Sequence, residues 1–248
     1  MDRMVDTALT AMRAALSRQS TISNNLANVN TVGFRAEIAN ANTVWIDGQT
    51  FRTRAQAGEQ VLGADMKEGS VTSTGNPLDV AVDGEALLAV QASDGSEAYT
   101  RRGDLKLSDS GLLTTGDGLP VIGNSGPITL PPYDMISIAK DGSISIVPQG
   151  GDPKSPQQVD KLKLANPKGS QIAKGLDGLF REVHGGVLPD DPLGRVTGGS
   201  LEGSNVNATE MLVQMIEASR AWETQVKLID TAKQIDDGGA SLMKLPGA

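Results

Sequence analysis

The chain has 248 residues, enough for one or two domains with a sizeable core, and carries 30 acidic against 22 basic side chains for a net charge of −8. That balance, with aromatics at 3%, excludes the basic, stacking surface that nucleic-acid binding requires. There is no cysteine and one histidine, which removes disulfides, thiolate nucleophiles and any zinc site built on several His or Cys ligands of one chain.

The N-terminal segment reads as a helix. Val5, Leu9, Met12 and Leu16 fall on one face, and Ile22, Leu26 and Val29 continue the stripe after a shift in phase. Asp2 is the expected N-cap, and the helix is expected to end by Asn30, where Thr31-Val32-Gly33 offers a β-branched pair and then a glycine. Arg13 and Arg18 interrupt this segment, so no secretory leader is expected. Nowhere does the chain approach the roughly 20 apolar residues of a membrane span.

Residues 36–70 are polar and irregular, with Trp45, Ile46 and Phe51 as scattered anchors, and read as an extended connector or a loose hairpin around Asp47-Gly48. From about Val71 to Ser200 the turn chemistry is dense. Asp-Gly recurs at 83–84, 94–95, 117–118, 141–142 and 177–178, each a favoured hairpin dipeptide. Between these turns the period is two: Leu78, Val80 and Val82; Leu105 and Leu107; Ile136 and Ile138; Ile144 and Ile146; Leu162 and Leu164. The spacing predicts an antiparallel sandwich or partial barrel, with a surface loop from Pro148 to Pro156.

A last helix follows Gly198-Gly199. Asn207 with Glu210 resembles a capping box, and Leu212, Met215, Ser219, Trp222, Val226 and Ile229 follow at heptad spacing until Gly238-Gly239, the expected stop. Residues 1–35 hold four Arg against two Asp, whereas 207–237 hold six acids against three bases, a difference that favours pairing of the two ends modestly. The fold class expected is therefore α+β, with terminal helices pairing as a coiled coil around a central antiparallel β sandwich or partial barrel. The segments are 1–35, 36–70, 71–200 and 201–248, the first and last sharing an inner domain.

The sharpest local signal is Asn24-Asn25-Leu26-Ala27-Asn28-Val29-Asn30-Thr31-Val32-Gly33-Phe34-Arg35. From the residues alone it is either a set of packed amides that fix register or a frayed, Asn-rich helix end before a turn. Asn25-Leu26-Ala27-Asn28 with Thr31 and Gly33-Phe34-Arg35 resembles the N-terminal signature of the flagellar rod and hook axial proteins. Gly199-Ser200-Leu201-Glu202-Gly203-Ser204-Asn205-Val206, with Glu210-Met211, Met215-Ile216, Arg220 and Glu223, resembles their C-terminal signature. Met1-Asp2-Arg3, Gly63-Ala64-Asp65-Met66, Pro77-Leu78-Asp79-Val80-Ala81, Tyr99-Thr100-Arg101, Gly126-Pro127-Ile128-Thr129-Leu130-Pro131 and Asp177-Gly178-Leu179-Phe180-Arg181 resemble the proximal-rod branch of that family. The family usually carries a tyrosine where Asp6 stands, and a tyrosine or phenylalanine is common where Trp222 stands.

The resemblance implies a structural axial subunit of the flagellar basal-body rod. Its terminal helices would line a channel, its β middle would form an outer domain, and it would cross the inner membrane unfolded through the flagellar export apparatus before polymerising in the periplasm. Its implied partners are adjacent proximal and distal rod proteins and that apparatus, with no nucleic acid, no direct membrane insertion and no cofactor, metal or catalytic residue. The expected assembly interface comprises Leu9, Met12, Leu16, Asn25, Leu26, Asn28, Gly33 and Phe34 from the first segment, and Leu212, Met215, Trp222, Val226 and Ile229 from the last. Alternatives are another axial protein such as the distal rod subunit, a periplasmic β-sandwich binding module, and a wall-cleaving enzyme using Asp190 and Asp191. His184 with Asp177 and Ser170 or Ser200 would make a catalytic triad, but no nucleophile motif accompanies it.

Overall fold

The computed structural model describes residues 2–47 and 52–243, with side chains over 7–38 and 63–241. It divides into two compact units. One joins Met1–Ala27, Glu37–Leu62 and Asn207–Ala248; the other joins Asn28–Ala36 with Gly63–Val206. Two helices and many antiparallel strands make the chain α+β.

The helical unit contains α1 (Asp2–Ala27) and α2 (Ala208–Met243), packed on each other, and most of a long hairpin of Glu37–Asp47 with Arg52–Ala64. The turn expected at Asp47-Gly48, the anchors Trp45, Ile46 and Phe51, and the side chains of Asp2, Val5 and Asp6 lie outside what is described. Asn207 caps α2 as its sequence predicts, its Oδ1 accepting from the amides of Thr209 at 3.0 Å and Glu210 at 3.3 Å. The Glu210 carboxylate accepts instead from Gln214 Nε2, one turn on, at 3.1 Å. The expected stop at Gly238-Gly239 is overturned, because α2 continues to Met243. Glycine in a helix costs only about 1 kcal/mol relative to alanine and does not by itself terminate one.

The inward faces differ in phase from the expected stripes. On α1, Ala8 and Ile22 are buried, and Leu9 and Leu16 are exposed. On α2, Met211, Ala218 and Ala232 are buried, with Met215, Trp222, Gln225 and Ile229 partly so between them. The spacing is heptad-like, but Met211, Ala218 and Gln225 stand where the sequence pattern put Leu212, Ser219 and Val226. Small side chains let two helices approach closely, so alanine takes the inner line.

The second unit, hereafter the β unit, is built on a five-stranded antiparallel sheet in the order Leu164–Ala165, Leu87–Gln91, Glu97–Thr100, Phe180–Glu182, Ile172–Lys174. A three-stranded sheet (Tyr133–Ile138, Ser143–Pro148, Gln157–Lys161) and several two-stranded ladders complete it. All five glycines of the Asp-Gly pairs take positive φ, from 67° to 85°. Those at 95, 142 and 178 close hairpins between paired strands, as their sequence predicts. In the Leu87–Gln91 strand alternate residues enter two cores. Leu88 joins Val80, Val82, Leu105, Leu113, Ile144, Ile146, Leu162 and Val196, while Leu87 and Ala89 join Tyr99, Phe180 and Leu188. Each such fully buried aliphatic side chain contributes about 1.5–3 kcal/mol relative to exposure. Leu107, expected inside, is instead 37% exposed in a two-residue strand at the edge of a short ladder.

Candidate assembly site

The helical unit presents two kinds of apolar surface. Inside, Thr7, Ala8 and Ala11 of α1 and Gln225, Leu228, Ile229 and Ala232 of α2 line a cavity of about 250 Å³, so the start of α1 lies beside the second half of α2. Outside, Leu9 and Leu16 on α1 and Leu212, Val213, Ile216, Val226 and Ile235 on α2 are 38–55% exposed. Of the expected interface residues, Met12, Met215, Trp222 and Ile229 thus sit on or beside the intrachain seam, and Leu9, Leu16, Leu212 and Val226 face outward.

The end of α1 shows what its asparagines do. The Asn25 side chain is 3% exposed and pairs with one backbone residue in both directions. Its Nδ2 donates to the Glu37 carbonyl at 3.0 Å, and its Oδ1 accepts from the Glu37 amide at 2.8 Å. This amide therefore acts as an extra rung that starts the long hairpin. Asn24 Nδ2 donates to Glu37 Oε1 at 2.8 Å. Packed amides, not a frayed end, describe this segment. Leu26 is partly buried.

Asn28 opens the part of the chain that belongs to the β unit, and its Oδ1 accepts from the Thr31 hydroxyl at 3.1 Å. Gly33 has φ +66°, and a Cβ there would fall on the backbone carbonyl of Arg101. Only glycine fits both conditions. Phe34 carries the Lys174 ammonium 3.6 Å from its ring centroid, and the same Nζ donates to the Arg35 carbonyl at 3.1 Å.

Beside this aromatic lies a buried ion triad that the sequence pattern does not reveal. Arg35 and Arg101 have fully buried side chains and share the carboxylate of Glu202, which is 1% exposed. Arg35 Nη2 lies 2.7 Å from Oε1, and Arg101 donates to Oε2 from Nε at 2.9 Å and lies 2.7 Å from it at Nη2. The Gly69 amide donates to Oε1 at 2.8 Å, and the Gly33 amide donates to the Glu202 carbonyl at 2.8 Å. The exposed Glu68 also favours the Arg35 charge, but two buried cations against one buried anion leave a local excess of positive charge. Carbonyls absorb it: Arg101 donates to those of Val82, Gly84 and Ala86, and Arg35 Nη1 to that of Lys67. Burial first, then the Arg101 charge, push the Arg35 pKa below the usual guanidinium value, with Glu202 opposing. Nearby, Asn205 Oδ1 accepts from the Ala36 amide at 2.7 Å, and Nδ2 donates to the carbonyls of Asp65 and Lys67 at 2.8 and 3.0 Å.

Three family models match the chain. "Flagella basal body rod protein" covers residues 6–35, "Flagellar hook protein FlgE/F/G D1 domain" covers 81–146, and "Flagellar basal body rod FlgEFG protein C-terminal" covers 197–242. The chain is 39% identical to the flagellar basal-body rod protein FlgF of Salmonella typhimurium, over 99% of its own length and 100% of the relative. It is 40% identical to FlgF of Escherichia coli (99% and 98%) and 31% identical to the basal-body rod protein FlgG of Bacillus subtilis (95% and 97%). The chain belongs to the flagellar basal-body rod proteins.

A rod protein is a structural component of the basal body, assembled with other basal-body components, and the family is not enzymatic. Each matched segment of this rod subunit contributes one member of the ion triad: Arg35 closes the first, Arg101 lies in the second and Glu202 in the third. The acidic and histidine residues weighed for catalysis have structural places. His184 is exposed in the turn after the Phe180–Glu182 strand. The Asp177 carboxylate is held by both terminal nitrogens of Arg181, which keeps its pKa below the ordinary carboxylate range. Asp190 lies 3.7 Å from Lys163 Nζ, and Asp191 turns the chain by accepting from the Leu193 amide at 3.1 Å. No described helix is long and apolar enough to cross a membrane.

Proposed function

We propose that this rod protein is a self-assembling axial subunit of the proximal rod, part of the hollow drive shaft that transmits torque and passes exported subunits. The terminal segments 1–35 and 201–248 form the inner domain, pairing as a coiled coil that lines the channel. Residues 36–70 form the connector, and 71–200 an outer β domain of sandwich or partial-barrel type. Its neighbours are the adjacent proximal and distal rod proteins, and its carrier is the flagellar export apparatus, which delivers it to the periplasmic space.

One observation carries this reading: α2 turns Leu212, Val213, Ile216 and Ile235 outward at 50–55% exposure, in addition to the line of Met211, Met215, Ala218, Trp222, Ile229 and Ala232 that it turns inward. A self-sufficient module would leave no second apolar row uncovered. A subunit whose helices are completed by neighbours presents one, and heterologous contacts of that kind repeat into an open tube. Identity of 39% and 40% to FlgF of Salmonella typhimurium and Escherichia coli, against 31% to FlgG of Bacillus subtilis, supports the proximal over the distal rod, with FlgF of Buchnera aphidicola more distant at 27%.

The test is a deletion strain, scored for swimming and for basal-body length by electron microscopy. Non-motile cells with short rods are expected, rescued by the intact gene and not by one lacking residues 1–35. Normal swimming and normal basal bodies would overturn the reading.

A further inference from the structure

The ion triad joins stretches of chain that are far apart in sequence. Glu202 touches Gly33 and Arg35 from the segment after α1, Gly69 from the segment after the long hairpin, and Arg101 after the Glu97–Thr100 strand. The contacts around it extend the same join, since Asn205 holds Ala36, Asp65 and Lys67, and its own amide donates to the Phe34 carbonyl at 3.3 Å. Both stretches that lead to the helices, 33–36 and 202–205, are therefore fastened within the β unit to one carboxylate and one amide.

We infer that Glu202 is a late-arriving keystone: the β unit closes into one cooperative body, with both helix attachment points fixed in it, only when the C-terminal segment places this carboxylate between Arg35 and Arg101. Chains are made from the N-terminus, so both guanidiniums exist before their shared counter-charge does. Until Glu202 arrives, closing the unit means burying two like charges, and desolvation and mutual repulsion oppose that. Glu68 favours the Arg35 charge from an exposed position, where its carboxylate accepts from the Gly84 amide at 2.6 Å, so it lessens the cost without entering the buried site between the two guanidiniums. An incomplete chain is thus kept from closing prematurely, and a complete one fixes both helix attachments in a single step. The keystone itself follows from the triad alone; its use to a subunit that must travel unfolded rests on the function proposed above.

Hydrogen exchange on the full-length monomer tests the keystone without reference to rod assembly. In the unaltered protein, amides of 31–36 and 199–206 are expected to exchange together with the Leu87–Gln91 strand and more slowly than those of α1. Glu202→Gln should speed both segments about tenfold or more and leave Leu87–Gln91 slow. If Glu202→Gln instead unfolds the whole β unit, Glu202→Gln with Arg35→Met, which removes one of the two unpaired guanidiniums, should restore protection at Leu87–Gln91. The inference is overturned if 31–36 exchanges with α1 in the unaltered protein, if Glu202→Gln leaves both segments protected, or if the double variant recovers nothing.

Discussion

Gly33 is the residue at which the least freedom remains. Its positive φ and its contact with the Arg101 backbone act independently, so Gly33→Ala carries a conformational cost of about 1–3 kcal/mol and a collision in addition. The aromatic residues offer a convenient readout. Both tyrosines, Tyr99 and Tyr133, belong to the β unit, and both tryptophans, Trp45 and Trp222, belong to the helical unit. Gly33→Ala is expected to lower the urea midpoint followed by tyrosine near-ultraviolet circular dichroism; an unchanged midpoint would show that the backbone there can rearrange. The sequence displays Gly33, Arg35, Arg101 and Glu202 as motif letters, yet nothing in their spacing says that three of them meet. Ion pairing across a fold depends on tertiary proximity, which periodicity does not encode. A lone charge embedded among apolar or glycine residues, as at Leu201-Glu202-Gly203, is the trace such a site leaves.

At the scale of single elements, local chemistry was the legible part. Asp-Gly followed by serine at 94–96 and 141–143 predicts a tight turn, and in both turns the aspartate accepts from the serine amide and hydroxyl. The Asp177–Gly178 turn is braced differently, by Arg181, and this gives it a pH signature. The Asp177 pKa is depressed in the folded protein, so its contribution to stability is complete above the unfolded value of about 3.9 and is lost as pH falls through the folded value. Carboxyl carbon shifts followed by NMR should show Asp177 titrating below a free aspartate, and Arg181→Gln should return it toward the ordinary range. The helix faces were less legible. A search for large apolar residues finds Leu212 and Val226 and passes over Ala218 and Ala232, although close helix packing selects alanine. The two faces are therefore separable by mutation. Ala218→Leu is expected to overpack the seam and destabilise the helical unit by about 1–3 kcal/mol in tryptophan-monitored urea unfolding. Leu212→Ser should change monomer stability by less than about 0.5 kcal/mol while weakening assembly. Equal effects of the two on monomer stability would remove the distinction.

For the whole molecule, the division into a helical and a β unit would, on the proposed function, place assembly and self-sufficiency in different parts of one chain. Leu26 is the point to probe. It lies in the last turn of α1 and is partly buried, whereas the β unit's own cores draw on residues between Ala64 and Val196. Leu26→Asp is expected to abolish incorporation into rods while leaving the tyrosine signal and the β-unit urea midpoint unchanged. Normal assembly of that variant would show that the α1 terminus tolerates a charge and plays no part in packing. The continuous run Leu87-Leu88-Ala89-Val90 explains why strand order could not be read beforehand. A strand buried on both faces loses its alternation and with it the cue to which side is inside.

The outward row of leucine, valine and isoleucine on α2 has a consequence for the protein as a reagent. A free subunit of the proposed kind exposes an apolar row, so it should aggregate increasingly as concentration rises and as salt weakens the repulsion of its surplus negative charge. Dilute, low-salt buffer is where a monomer would keep, and the same stickiness that spoils a concentrated stock is what a growing rod would use to recruit its next member.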